Sequence, residues 1–407
     1  MHYAERARLA SENQKEGLRL ETNNLIGLVM SGGGARAAYQ VGVLRAIAKM
    51  LPKDAPNPFQ IICGTSAGGI NAAALAAGAR QFRKSVCKLE YVWKNFHVDE
   101  VYRTDVRTML RQFGHWVSSL LFGGFGRHNP RSFLDNTPLD GLLQRLIDFD
   151  DIDRAIEAGA LTALSITASG YNSGQSVSFF QGVSSLEGWN RVQRLGCRSK
   201  IEIKHLLATS AIPFVFPAVR INREWFGDGS VRQVAPISPA LHLGAHKVLV
   251  VGVSTAREPS TERLYVPTYP TLAQVAGHLM NSVFIDGMEV DLERITRVNH
   301  TISFIPEERR KDGVNLKKVE MLVISPSKPL EQIASRHTGH FPWTLRFVLG
   351  GLGALKRQGS VLTSYLLFHR HYTRDLIELG YNDAMRRRDD IVRFLGYDPA
   401  ALAPHED

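Results

Sequence analysis

Residues 61–78 read IICGTSAGGINAAALAAG: an apolar run of strand length, a Gly-x-Ser-x-Gly turn, and a run of small residues suited to a helix. That order constrains the fold more than any other feature of the chain. A sharp strand-to-helix turn lifts a serine hydroxyl out of a sheet, and glycines two residues to either side let strand and helix pass closely. Gly64, Thr65, Ser66, Ala67 and Gly68 fit this arrangement, with Ser66 as the candidate nucleophile. The backbone N–H of Ala67, at the positive end of the following helix, is a candidate donor to an oxyanion. The plainer alternative makes Ser66 a helix cap.

A second strand-to-helix turn precedes it. LIGLVM at 25–30 runs into Gly32, Gly33 and Gly34, and then into a helical pattern with Tyr39, Val43, Ala46, Ile47 and Met50 on one face. Three consecutive glycines imply that something approaches the main chain closely. A phosphate-binding Walker loop needs Gly-Lys-Ser/Thr, which Arg36 and Ala37 do not supply. A dinucleotide fingerprint is met by Gly32, Gly34 and Ala37, with Asp54 as the distant acid. That acid should close the second strand, however, and this strand ends in Cys63, Gly64 and Thr65. With Ser66 on the next strand, the glycines fit better as oxyanion donors, and Arg36 as a residue that steers an anionic group or buttresses the turn.

Further apolar runs (FQIIC, LTALSITASG, KVLVVGVS, VEMLVISPS) alternate with helical stretches. The expected class is α/β: three layers, α/β/α, with a largely parallel central sheet. A long helical pattern over 271–298 carries Leu272, Val275, Leu279, Val283, Leu292 and Ile295 on one side, as a buried face would. Residues 1–24 form a charged leader, 25–328 the catalytic unit, and 329–407 a helical C-terminal extension whose apolar stripes are expected to pack on the core. The 407 residues are 44% hydrophobic with a net charge of +10, which favours acidic partners without choosing among them. Cys63, Cys87 and Cys197 form no spaced pair, so no disulfide framework or zinc site is expected. No signal peptide or spanning run is visible; the expectation is a cytoplasmic protein, peripheral to a membrane.

Activation of Ser66 has two candidate sources. His242, His246, His278 and His300 stand in no recognisable strand-end motif, whereas Asp228 lies between an aromatic run, Trp225 and Phe226, and a Gly-Ser turn, Gly229 and Ser230. Asp-Gly is common in plain turns. The conjunction SGGGAR at 31–36, GTSAG at 64–68, TSAIPFVFP at 209–217 and DGS at 228–230, in that order, resembles the patatin-like phospholipases over about residues 25–326. The resemblance implies a Ser-Asp dyad: Ser66 as nucleophile, Asp228 as general base, and Gly32, Gly33, Gly34 and Arg36 around the oxyanion site. It departs at Ser230, where the family usually has glycine; a side chain there restricts φ without having to move the carboxylate. Partial burial, with Trp225 and Phe226 as candidate neighbours, is expected to raise the basicity of Asp228.

Residues 101–132 carry Arg103, Arg107, Arg111, Arg127 and Arg131 against Asp105 alone, a net +4, followed by an apolar tip that includes Trp116 and Leu120. This insertion reads either as an interfacial element or as a lid. The expected activity is hydrolysis of phospholipid or lysophospholipid esters, with no cofactor, no metal and no nucleic-acid partner. The alternatives are a neutral-lipid lipase, a dinucleotide-binding oxidoreductase and a catalytically silent lipid-binding protein.

Overall fold

The computed structural model describes residues 25–105, 107, 114, 132–255, 269–306, 317–355 and 359–402. The leader 1–24 and most of the insertion 101–132, including Trp116 and Leu120, lie outside the described residues.

The chain begins with β1 (Ile26–Met30), passes through the glycine turn and a 3-10 turn (Gly34–Ala37), and enters α1 (Ala38–Met50). β2 (Ile61–Thr65) runs through Ser66 into α2 (Ala67–Ala77) and then α3 (Phe82–Lys94). After α4 (Thr137–Leu146) and α5 (Asp150–Glu157) come β3 (Ala163–Gly170), β4 (Ser176–Gly182), β5 (Trp189–Arg191) and β6 (Arg194–Arg198). These are followed by α6 (Ile203–Thr209), β7 (Val219–Ile221), β8 (Glu224–Asp228), α7 (Ser238–His242) and β9 (Lys247–Val251). α8 (Leu272–Asn281) continues through a π-helical turn (Ser282–Asp286) into α9 (Gly287–Ser303), and β10 (Glu320–Ile324) follows. The rest is helical: α10 (Leu330–Arg336), α11 (Trp343–Gly351), α12 (Ser360–Leu366), α13 (Arg370–Arg386) and α14 (Arg388–Phe394).

The centre of the sheet, β10-β9-β1-β2-β3, is parallel throughout, so the carboxyl ends of those strands open on one edge. These are the five strands expected from the apolar runs. Strands buried on both faces read as continuous hydrophobic runs, which is why they are legible. Beyond β3 the sheet becomes mixed: β4 pairs with β3 antiparallel, β6 runs parallel to β4 and β5 antiparallel to β6, while β8, with β7 antiparallel to it, pairs antiparallel with the carboxyl end of β3 on the side of β2. These strands are rich in Ser, Gly and Arg and carry no such signal.

Helix α1 is buried nearly all round: Gln40, Val41, Gly42 and Leu44 are covered as well as the expected face. Its second cover is α13. A Cβ at Gly42 would strike the carbonyl of Ile377, and one at Gly380 would strike the carbonyl of Tyr39. The two backbones are therefore in contact where they cross. Tyr365, Tyr372, Leu376 and Ile377 belong to the same core cluster as Leu28, Val43 and Leu44.

One stripe differs from expectation. Ile295 is buried, but Leu272, Val275 and Leu279 on α8 face solvent, at 71%, 44% and 61% exposure. The π-helical turn between α8 and α9 widens the helix by one residue per turn and rotates the stripe out of phase. It also sets Phe284 against Tyr365, ring centroids 5.0 Å apart, beside Gly32. α11 divides similarly, with Leu345 and Leu349 buried and Trp343 and Phe347 exposed.

Candidate active site

Strand register brings the two expected chemical groups together. Thr65, the last residue of β2, is level with Thr167 of β3, and the next β3 residue, Ala168, is paired with Asp228 at the end of β8. Ser66, the residue after Thr65, and Asp228 thus come level with the same β3 residue, Ala168, at one edge of the sheet. Ser66 Oγ donates to Asp228 Oδ2 at 2.5 Å, and both residues are buried.

Ser66 has φ 55° and ψ −134°, a conformation that costs an L-residue energy and persists where the surroundings over-determine it. The surroundings do so here. The Ser66 amide donates to Thr209 Oγ1 at 2.9 Å, and that hydroxyl in turn donates to the Thr167 carbonyl. A Cβ at Gly64 would meet the Gly68 carbonyl, and one at Gly68 would meet the carbonyls of Met30 and Ser31. Both motif glycines therefore allow β1, β2 and α2 to touch through their backbones.

Asp228 is fully enclosed, and burial pushes its carboxyl up to about 7, against the opposing effect of hydrogen bonds from Ser66 and Ser230. The Ser230 amide donates to Oδ1 at 2.9 Å. Ser230 keeps a negative φ, so a side chain costs nothing at this position, and Gly229 packs its α-carbon against the Thr167 carbonyl. The Asp228 amide donates to the Ala211 carbonyl at 2.8 Å, and Phe226, two residues earlier on β8, is buried as well. Trp225, expected as a shield, points outward and is 48% exposed, because residues alternate faces along β8.

The glycine turn leaves the carboxyl end of β1, where Met30 is level with Gly64. Among the described residues, no protein group accepts from the amides of Gly32 or Gly33, and the first helical amide, that of Ala67, has no intrahelical acceptor. Gly34 has φ +54° and lies against the Tyr365 carbonyl, both of which exclude a side chain. Arg36 is buried, and its guanidinium is engaged by the C-terminal helices. Its Nε donates to Ser364 Oγ at 2.8 Å, its guanidinium lies 4.1 Å above the Tyr365 ring, and Glu331 stands 3.6 Å away. Of its two expected roles, the one these contacts fit is that of a buttress between the glycine turn and α12.

Asn71 and Gln40, which sequence reasoning passed over, knit these parts together. Gln40 donates to the Ser31 carbonyl at 2.8 Å, Asn71 donates to Gln40 Oε1 at 3.1 Å, and Trp93 Nε1 donates to Asn71 Oδ1 at 2.8 Å. The available signal was a polar residue inside each of two otherwise apolar or small-residue helices. An apolar cavity opens from Ser66, walled by Ile70, Trp93, Phe96, Leu142, Phe216 and Phe368.

The alternative residues are elsewhere. Asp54 is exposed in the loop entering β2, at the edge of the sheet opposite the glycine turn. His246 precedes β9 on that same far edge, while His242 stacks on Trp189 and bonds the Ser238 carbonyl. His278 and His300 are exposed. Among the described residues, no histidine bonds Ser66 or Asp228.

The Patatin-like phospholipase family model matches residues 28–241. The cGAMP-activated phospholipase of Pseudomonas aeruginosa is 27% identical over 215 residues, covering 53% of this chain and 55% of that protein. Lysophospholipase nte1 of Aspergillus terreus is 35% identical over 107 residues, 25% of this chain and 6% of that one. The chain thus spans about half or less of the length of these relatives. Human GIVD cytosolic phospholipase A2 superposes with a TM-score of 0.41 at 13% identity, over 94% of this chain and 60% of that structure. With the family model matched over more than half of its length, the chain belongs to the patatin-like phospholipase family.

Proposed function

We propose that this protein is a serine acyl hydrolase that cleaves phospholipid or lysophospholipid esters through a Ser66–Asp228 dyad. The observation that carries the reading is the 2.5 Å contact between Ser66 Oγ and Asp228 Oδ2, buried at the mouth of an apolar cavity. Asp228 takes the Ser66 proton as Oγ attacks the ester carbonyl carbon. The amides of Gly32, Gly33 and Ala67, with Gly34 shaping the turn, are the donors for the resulting oxyanion. Collapse of the tetrahedral species expels the lipid alcohol, which takes the proton from Asp228 and leaves the acyl group on Oγ. Water, deprotonated by Asp228, then releases the fatty acid and restores Ser66. The cavity walls of Trp93, Phe96 and Phe216 suit an acyl chain. Arg36 acts as a positioning residue, holding the glycine turn from behind.

Access to substrate from a membrane surface is supported by Leu272, Leu279, Trp343 and Phe347, large apolar side chains left in solvent on α8 and α11. Among the described residues, no helix is long and apolar enough to cross a membrane. Labelling with a fluorophosphonate tests the chemistry: wild type is expected to label and Ser66→Ala not to. Product analysis on phosphatidylcholine, lysophosphatidylcholine and triacylglycerol tests the substrate class. An unlabelled wild type overturns the hydrolase reading, and turnover of triacylglycerol alone overturns the phospholipid one.

A further inference from the structure

Away from the dyad, a group of histidines meets at the junction of the C-terminal helices. His340 ends the 3-10 turn Thr338–His340, His369 caps α13, and His371 is the second residue of that helix. One imidazole nitrogen from each lies within 4.8 Å of the other two. The His340 ring is stacked on His369 with centroids 4.5 Å apart, and His371 is 4.9 Å from His340 and 5.2 Å from His369. Three imidazoles from two segments of chain converge on one point, with His340 and His371 at the surface.

The surrounding bonds suit ligands. The His337 carbonyl accepts from His340 Nδ1 at 3.2 Å, so that nitrogen carries the proton and Nε2 keeps its lone pair. Such an outer hydrogen bond fixes the tautomer of a metal-bound imidazole. His369 Nδ1 accepts only a long 3.4 Å bond from the His371 amide, which is cheaply exchanged. Two cations stand near the group: Arg374 on α13, which donates to the Lys94 carbonyl at 2.8 Å, and Arg370, which lies between His369 and His371 in sequence. His337 is engaged by Asp375 at 2.7 Å, which anchors the carbonyl that orients His340.

We propose that His340, His369 and His371 form a binding site for a divalent transition-metal ion, zinc in the first place. A set of imidazoles suits zinc, nickel or copper rather than magnesium or calcium. Zn–N bonds of about 2.1 Å in a tetrahedron put the nitrogens about 3.4 Å apart. The exposed side chains of His340 and His371 close that difference by rotation. Three ligands leave the fourth position to water. The ion ties the turn after α10 to the start of α13, directly beside Phe368, which walls the cavity that opens from Ser66. Its role is that of a clasp on this wall, independent of the hydrolytic reading.

Calorimetric titration of untagged, chelator-stripped full-length protein with zinc chloride tests the site. One equivalent per chain is expected, together with a higher melting temperature in zinc than in chelator. In the His340→Ala/His371→Ala variant the affinity is expected to fall at least about tenfold and the melting shift to vanish. Cys87→Ser, which removes an exposed thiol, is expected to bind as wild type does. The circular dichroism of the double variant in chelator should match that of wild type, which separates loss of a ligand from loss of fold. Absence of stoichiometric zinc in wild type, equal affinity in the double variant, or loss of the ion in Cys87→Ser would each overturn the proposal.

Discussion

As the proposed general base, Asp228 would carry an unusual burden for a carboxylate, since burial pushes it up to about 7 while that role requires the charged form. We predict that kcat/KM rises with pH through about 7 and is flat above it. A profile already flat from pH 5 would show that another group is the base. The same burial sets the sign for stability. Between the ordinary carboxylate value of 3.8 and about 7 the folded chain holds a proton that the unfolded chain has released, so stability falls as pH rises across that window. Asp228→Asn, which keeps the shape and removes the charge, is therefore expected to melt above wild type at pH 8, with the gap closing toward pH 5. Its turnover is expected to fall by roughly 100-fold or more. Ser66 was legible because strand, turn and helix are contiguous in sequence. Asp228 on its own looked like any Asp-Gly turn, because its partner is supplied by the register of β3 and β8. Thr209, Gln40 and Asn71 had no local signal that named a partner, since each bonds across the fold.

Among the elements, α8 shows why a hydrophobic stripe cannot say what covers it. Leu272, Val275 and Leu279 have the spacing of a core face and stand in solvent, because periodicity reports a face and not its neighbour. Replacing Leu279 and Phe347 by serine is expected to weaken sedimentation with anionic vesicles while leaving the melting temperature within about a degree, surface changes being usually within about 0.5 kcal/mol. A large drop in melting temperature would mean that these side chains are core after all. The crossing of α1 and α13 makes the opposite prediction. Gly380→Val forces a side chain into the Tyr39 carbonyl, and overpacking of this kind costs about 1–3 kcal/mol, which denaturant melts would register. The parallel centre of the sheet was readable because its strands are continuous apolar runs. The mixed side was not, because β4 to β8 mingle polar and apolar residues without a clear period.

For the molecule as a whole, the catalytic unit and the C-terminal helices belong together. Arg36, two residues past Gly34, is held by Ser364, Tyr365 and Glu331, and the Tyr102 hydroxyl donates to the Leu366 carbonyl at 2.8 Å. A chain truncated after residue 328 would strip the cover from α1 and leave the Arg36 charge without its partners. We predict that it is recovered as aggregate or as a state without a cooperative melt; a soluble, active fragment would show that the two regions are separable. Residue 328 lies just past the last strand, β10, and we propose that the regions on either side of it fold as one body. The Gly42–Gly380 crossing has a consequence for synthesis. The two glycines are 338 positions apart, which at about 5–20 residues per second is roughly 17 to 70 s of translation. Throughout that interval α1 has emerged and the helix that must cover it has not yet been made. The nascent chain therefore carries an apolar helix without its second cover for tens of seconds.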